Sequence, residues 1–172
     1  MKKGYTQIYT GNGKGKTTAA VGLAVRSLAE GYRVYFGQFM KYNATGEETL
    51  KNFYPELLTY RQFGTGQEIT SPEKETDSQA ARAGYAEVLS VLSSGEYDVV
   101  VCDEILVALM LGYVTEDEVL QLIASKPKET ELILTGRGAT DALVEVADLV
   151  TEMTEVKHYY TQGVGARPGI EF

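Results

Sequence analysis

Thr10-Gly11-Asn12-Gly13-Lys14-Gly15-Lys16-Thr17-Thr18 follows a short β-prone run, Gln7 to Tyr9, and opens an Ala-rich pattern of helical spacing. Glycines let successive backbone N–H groups turn toward one anion, and the N-terminus of the following helix adds partial positive charge at the same point. Lys16 supplies a point charge for phosphate oxygens, and the Thr17 hydroxyl is placed to hold Mg²⁺. The stretch therefore reads as a strand–loop–helix cradle for a nucleoside triphosphate. Gly11, Asn12, Gly13, Lys14, Gly15, Lys16, Thr17 and Thr18 are its expected contacts with ATP. The pattern G-x-x-x-x-G-K-[ST] asks for glycine five residues before Gly15, where this chain has Thr10.

Outward from the loop, Thr17 to Glu30 repeats apolar residues at Ala20, Leu23, Ala24 and Leu28, and Gly31 stops the helix. Arg33 to Met40 is rich in aromatic and β-branched residues and reads as the next strand. The resulting β-α-β unit implies a parallel sheet, with Gln38 to Asn43 brought beside the loop. Glu47 to Leu58 carries a weak helical pattern broken at Pro55, and Thr59 to Phe63 is a third strand. Gly64 to Glu75 is a long polar loop, suited to a lid or binding loop. Asp77 is the expected N-cap of a helix running to Leu92.

Asp98 to Cys102 has the continuous apolar run of a central parallel strand and ends in Asp103 and Glu104. Beside a phosphate loop, an acid at that place can hold Mg²⁺. Thr115 to Glu118 has the pattern of a capping box, opening a helix to about Ser125. Glu131 to Thr135 is a strand and Gly136-Arg137-Gly138 a turn. A helix from Asp141 to Ala147 and a strand from Leu149 to Met153 follow. The alternation predicts an α/β three-layer fold of the P-loop NTPase kind, with a mainly parallel sheet and one domain over residues 1–172. Arg137, held at a strand end by two glycines, is a candidate phosphate ligand. His158 is the single histidine, and its polar surroundings favour a structural role.

A net charge of −8 argues against a nucleic-acid-binding surface. The one cysteine, Cys102, excludes a disulfide framework and fits a reduced compartment. The apolar run Ile105 to Leu111 is too short to span a bilayer, so a cytoplasmic protein with no membrane segment is expected.

The chain resembles the ATP:corrinoid adenosyltransferases of the P-loop type along nearly its whole length. The resemblance rests on TGNGKGKTTAA (Thr10 to Ala20), GQFMK (Gly37 to Lys41) and FGTG (Phe63 to Gly66). It continues in Asp103-Glu104, TGRG (Thr135 to Gly138) and the tail VKHYYTQGVGARPGIEF from Val156. That family shares the loop lacking the first glycine, and is similar in binding ATP reversed along it. The resemblance implies transfer of the 5′-deoxyadenosyl group of ATP to the Co(I) of a reduced corrinoid, with release of tripolyphosphate, in adenosylcobalamin synthesis or salvage. It further implies a homodimer, a transient flavin-dependent reductase, Mg²⁺ on Thr17 and Glu104, and catalytic roles for Lys16 and Arg137. Corrinoid contacts are expected from Gly64, Gly66, Gln67 and Ile69, the last two standing where members often carry aromatics. Members also often have a longer N-terminal arm than the MKKGY that precedes the first strand here. Two other readings are a kinase or ATPase acting at the γ-phosphate, which would yield ADP, and an ATP-gated binding module with little turnover.

Overall fold

The computed structural model describes residues 3–65 and 74–172. Six strands form one sheet: β1 Thr6–Thr10, β2 Val34–Phe39, β3 Leu58–Phe63, β4 Val99–Asp103, β5 Glu131–Thr135 and β6 Leu149–Glu152. Their order is β3-β2-β4-β5-β1-β6, and every pairing is parallel. β2 and β4 are buried along their whole length, as suits largely apolar strands covered on both faces; the polar exceptions, Gln38 and Asp103, stand at their carboxyl ends.

Alternate residues feed two separate cores. On one face Tyr35, Val100, Leu132 and Leu134 pack under the helices α3 Lys74–Ser94, α4 Ile105–Met110, α5 Glu116–Ser125 and α6 Asp141–Val146. On the other, Phe36, Val99, Val101 and Ile133 meet Ala20, Ala24 and Leu28 of α1 Lys16–Ala29. The period of two along each strand and of about 3.6 along α1 produces this three-layer arrangement. Gly84 lets α3 approach closely, since a Cβ there would lie 2.6 Å from the Phe63 ring.

The capping box forms as expected: Thr115 Oγ1 accepts from Glu118 N–H at 3.2 Å, and Glu118 Oε2 accepts from Thr115 N–H at 2.7 Å. Two expectations need correction. Glu47 to Leu58 is no single helix but a 3-10 turn, Gly46–Thr49, running into one turn of helix, α2 Leu50–Phe53, before β3. Asp77 is not the N-cap: α3 already starts at Lys74, and the buried Asp77 carboxylate accepts from the N–H and hydroxyl of Thr65. Ile105 to Leu111, read only as too short for a membrane, contains α4, whose Ile105, Leu106 and Ala108 are buried. No helix among the described residues is long and apolar enough to cross a membrane.

Candidate nucleotide site

The loop between β1 and α1 turns on Gly11, at φ 98°, and Gly15, at φ 120°, conformations that disfavour any side chain. It rests against the end of β6: Gly13 N–H donates to the Met153 carbonyl at 2.7 Å, and a Cβ on Gly13 would lie 2.7 Å from that same oxygen. Lys16 is folded back over the loop, its Nζ donating to the carbonyls of Gly11 and Gly13, each at 2.8 Å. Burial lowers its pKa, with the Arg137 charge acting the same way and Glu104 and Asp103 opposing. A buried ammonium hydrogen-bonded to two neutral carbonyls is poised to exchange them for anionic oxygens. Thr10, standing where the usual motif has glycine, accepts from Ala139 N–H at 3.3 Å through its hydroxyl. It thereby ties β1 to the segment after the Arg137 turn, which a glycine could not do.

Asp103 ends the central strand with its side chain fully buried. Its Oδ1 accepts from Thr17 at 2.9 Å and from Thr135 at 2.6 Å, and its Oδ2 from Gln38 at 3.0 Å. Gln38 in turn accepts from Tyr60 and Gln62 and donates to Glu47. Glu104 follows in the left-handed region at φ 61°, a strained state for a residue bearing a side chain. Its N–H donates to Thr135 Oγ1 at 2.9 Å, and the side chain lines the cavity at the mouth of α1. Burial raises the pKa of both acids; the Asp103 charge adds to the rise at Glu104, and the Thr135, Gln38 and Thr17 bonds oppose it at Asp103. Glu104, whose side chain lines the cavity, and the Thr17 hydroxyl offer a pair of hard oxygen donors that suits Mg²⁺. Among the described residues no group of three or more His, Cys, Asp or Glu side chains gathers as a metal cage.

The cavity at the mouth of α1, about 180 Å³, is lined by Lys14, Lys16, Thr17, Thr18, Lys41, Glu104 and Glu171. Lys41 was given no role by sequence reasoning, although the strand ending GQFMK placed it beside the loop. Met40, left-handed at φ 59°, turns the chain there. Arg137 and Asn12 lie apart from this group, sharing a cavity of about 260 Å³ with Glu155, His158, Tyr160 and Thr161. His158 Nδ1 accepts from Tyr160 N–H at 3.0 Å and caps a 3-10 turn, as a structural histidine would. Gly64 abuts the Lys41 backbone, where a Cβ would lie 2.7 Å from the Lys41 nitrogen. Gly66, Gln67 and Ile69 fall outside the described residues.

The C-terminal turn was quoted for its resemblance alone and given no role in the site. Lys14 Nζ donates to the Ile170 carbonyl at 3.0 Å, and Glu171 accepts from Arg167 and Tyr159. No periodicity or motif spacing signals a contact across 156 positions.

A parallel sheet whose first strand delivers a glycine-rich loop into a helix, with an acid at the end of the central strand β4 one strand removed, defines a P-loop nucleotide-binding protein. The fold is shared with the flagellar accessory protein FlaH of Methanocaldococcus jannaschii, at a TM-score of 0.58 and 14% identity, covering 88% of this chain and 72% of that one. The chain belongs to the ATP:corrinoid adenosyltransferase BtuR/CobO/CobP family, whose sequence model matches residues 2–172. Its relatives include the corrinoid adenosyltransferase of Pseudomonas aeruginosa, 37% identical over 99% of this chain and 85% of that protein. Another is the corrinoid adenosyltransferase of Escherichia coli, 34% identical over 99% of this chain and 87% of that protein.

Proposed function

We propose that this chain transfers the 5′-deoxyadenosyl group of ATP to the Co(I) of a reduced corrinoid and releases tripolyphosphate. The observation that carries the reading is the cationic cradle of Lys14, Lys16 and Lys41 in a chain that matches the adenosyltransferase family over nearly its full length. The bond that forms joins cobalt to C5′, and the bond that breaks joins C5′ to the α-phosphate oxygen. Both electrons of the new bond come from Co(I), which ends as Co(III), and the electrons of the broken bond leave on tripolyphosphate. No proton has to be removed from the nucleophile, so no side-chain base is required.

The work of the protein is to orient the triphosphate and to stabilise charge that grows on it as it departs. Lys16 exchanges the Gly11 and Gly13 carbonyls for phosphate oxygens, the N-terminus of α1 adds its dipole, and Arg137 with Asn12 serves the far end of the chain of phosphates. Thr17 and Glu104 would hold Mg²⁺, which adds charge neutralisation on the same oxygens. Asp103 is a positioning residue that fixes Thr17. Gly64, Gly66, Gln67 and Ile69 remain the proposed corrinoid contacts. Ile69→Ala should slow the reaction begun from bound Co(II) more than the reaction given Co(I). A homodimer, a flavin-dependent reductase as electron source and a cytoplasmic setting complete the reading.

The test is an anaerobic assay with ATP, Mg²⁺ and chemically reduced cobalamin, following loss of the Co(I) absorbance and identifying the phosphate product. Tripolyphosphate formed in step with Co(I) loss supports the proposal. ADP would instead favour a γ-phosphate enzyme.

A further inference from the structure

Asp103 holds Thr17, and we propose that Gln38 is the positioning residue that holds Asp103 and so presents the Thr17 hydroxyl to a cation. The inference rests on the reading that Thr17 and Glu104 receive Mg²⁺. Gln38 stands near the end of β2, level with Asp103 on β4 and with Gln62 on β3, and is fully buried. Its amide makes two hydrogen bonds at each end. Nε2 donates to Asp103 Oδ2 at 3.0 Å and to Glu47 Oε1 at 2.9 Å, while Oε1 accepts from the Tyr60 hydroxyl at 2.6 Å and from Gln62 at 3.0 Å.

The chemistry of those partners allows one orientation. An amide NH₂ donates and carboxylate oxygens accept, so turning the amide over would set its carbonyl oxygen against two acids. Tyr60 supplies the opposing donor, since burial pushes its pKa up and its hydroxyl keeps the proton. With Oδ2 fixed from the β2 side, Oδ1 is left to accept from Thr17 at 2.9 Å and from Thr135 at 2.6 Å. The Thr17 proton is thereby committed to Asp103, and the lone pairs of its oxygen remain for the cavity that Thr17 lines. A metal ligand needs that orientation, because a hydroxyl proton turned into the cavity would oppose a cation.

Gln38 is itself pinned from outside the site. The Tyr60 ring stacks on Phe36 with centroids 5.5 Å apart, and its hydroxyl also meets Thr45 Oγ1 at 3.0 Å. Gln62 reaches from Gln38 to the Asn43 carbonyl, again at 3.0 Å. Asn43, Thr45 and Glu47 belong to the segment after β2, which also carries Lys41 of the phosphate cavity. One buried amide therefore sets both the Thr17–Asp103 pair and the Lys41 segment.

Gln38→Met keeps the length of the side chain and removes all four bonds. Tyr60→Phe keeps the ring and removes one bond, a step further from the site. Each variant and the wild type are titrated calorimetrically with ATP, with and without Mg²⁺, and thermal melts check folding. The ratio of the two affinities measures what the cation contributes to binding. That ratio should fall about tenfold in Gln38→Met, as when a group supporting a metal ligand is lost, and about threefold in Tyr60→Phe, as for one hydrogen bond. Affinity for ATP without the ion should stay at the wild-type value in both. If Gln38→Met does not fold, Tyr60→Phe decides alone. A wild-type ratio in a folded variant, whether or not both affinities drop together, would overturn the inference. A wild-type ATP affinity that Mg²⁺ leaves unchanged would instead overturn the reading of Thr17 and Glu104 as cation ligands, and the inference with it.

Discussion

Two carboxylates flank the phosphate cavity and are managed in opposite ways. Asp103 is fully buried among neutral donors, and burial pushes its pKa up. Glu171, on the C-terminal turn, is paired with Arg167 and Tyr159, and those hydrogen bonds, Arg167's first, bring its pKa down to about 2. Burial disfavours the charge of one acid, while the other has its charge matched within the turn. The lesson is that carboxylate charge is disfavoured at the β4 end of the site and is matched locally on the turn bearing Glu171.

The largest effect should come from taking away the buried cation of the phosphate loop. Lys16→Ala should slow adenosyl transfer with a barrier rise of about 2.7–4 kcal/mol, the range for one lost contact to developing charge. Single-turnover kinetics at saturating ATP measure it, and near wild-type turnover would sink the assignment. Next comes Asp103→Ala, which strands Thr17, Thr135 and Gln38 without their shared acceptor. Its cost should be about 1–3 kcal/mol of stability for each buried group left unsatisfied, read by urea denaturation. Glu171→Ala should leave the denaturation midpoint nearly unchanged, and a comparable loss at the two sites would erase the distinction drawn between them.

Glu104→Gln sharpens the comparison on the cavity side. The Asp103 oxygens are taken up by three side chains, whereas Glu104 lines the cavity. The Mg²⁺ requirement should therefore rise more for Glu104→Gln than for Asp103→Asn in a titration of activity, and the opposite order would exchange their roles. Without divalent ions Glu104→Gln should also melt at a higher temperature than wild type near neutral pH. A folded pKa above the ordinary value means that ionising Glu104 costs stability as pH rises, and the amide removes that cost.

The smallest effect concerns pH at Glu171. A folded pKa of about 2, below the ordinary carboxylate value, means that its anchoring is fully present above the ordinary value and is lost as pH falls toward 2. Proton resonances of Ile170 and Phe172 followed down the same range should move together with Glu171 protonation. Independence of the two would show that the turn is held by something else.

Much of this was legible before any coordinates. The alternation of strands and helices, the cradle from Gly11 to Thr18 and the acids closing β4 follow from local residue chemistry, where neighbours in sequence are neighbours in space. The missing part is non-local. Nothing near Asp77 in the chain reveals that its partner is Thr65, and the weak pattern after Gly46 hid a 3-10 turn that α2 continues. Lys41 was placed beside the loop yet left without a role, because a lone lysine after a strand has many uses. The role of Ile170 could not be read at all, since the contact joins opposite ends of the sequence.

The place of β1 in the sheet bears on how the protein comes to exist. The strand that carries the phosphate loop pairs with β5 and β6, Thr6 against Leu132 and Gln7 against Leu149. Both neighbours are made long after β1 itself, and the intervening residues first assemble β2, β3 and β4. A chain emerging from the ribosome therefore holds its nucleotide loop as an unpaired segment through most of synthesis. Such a high mean separation between partners also favours slow folding. Competence to bind nucleotide should arrive abruptly, once β5 and β6 have been made, and not grow with chain length.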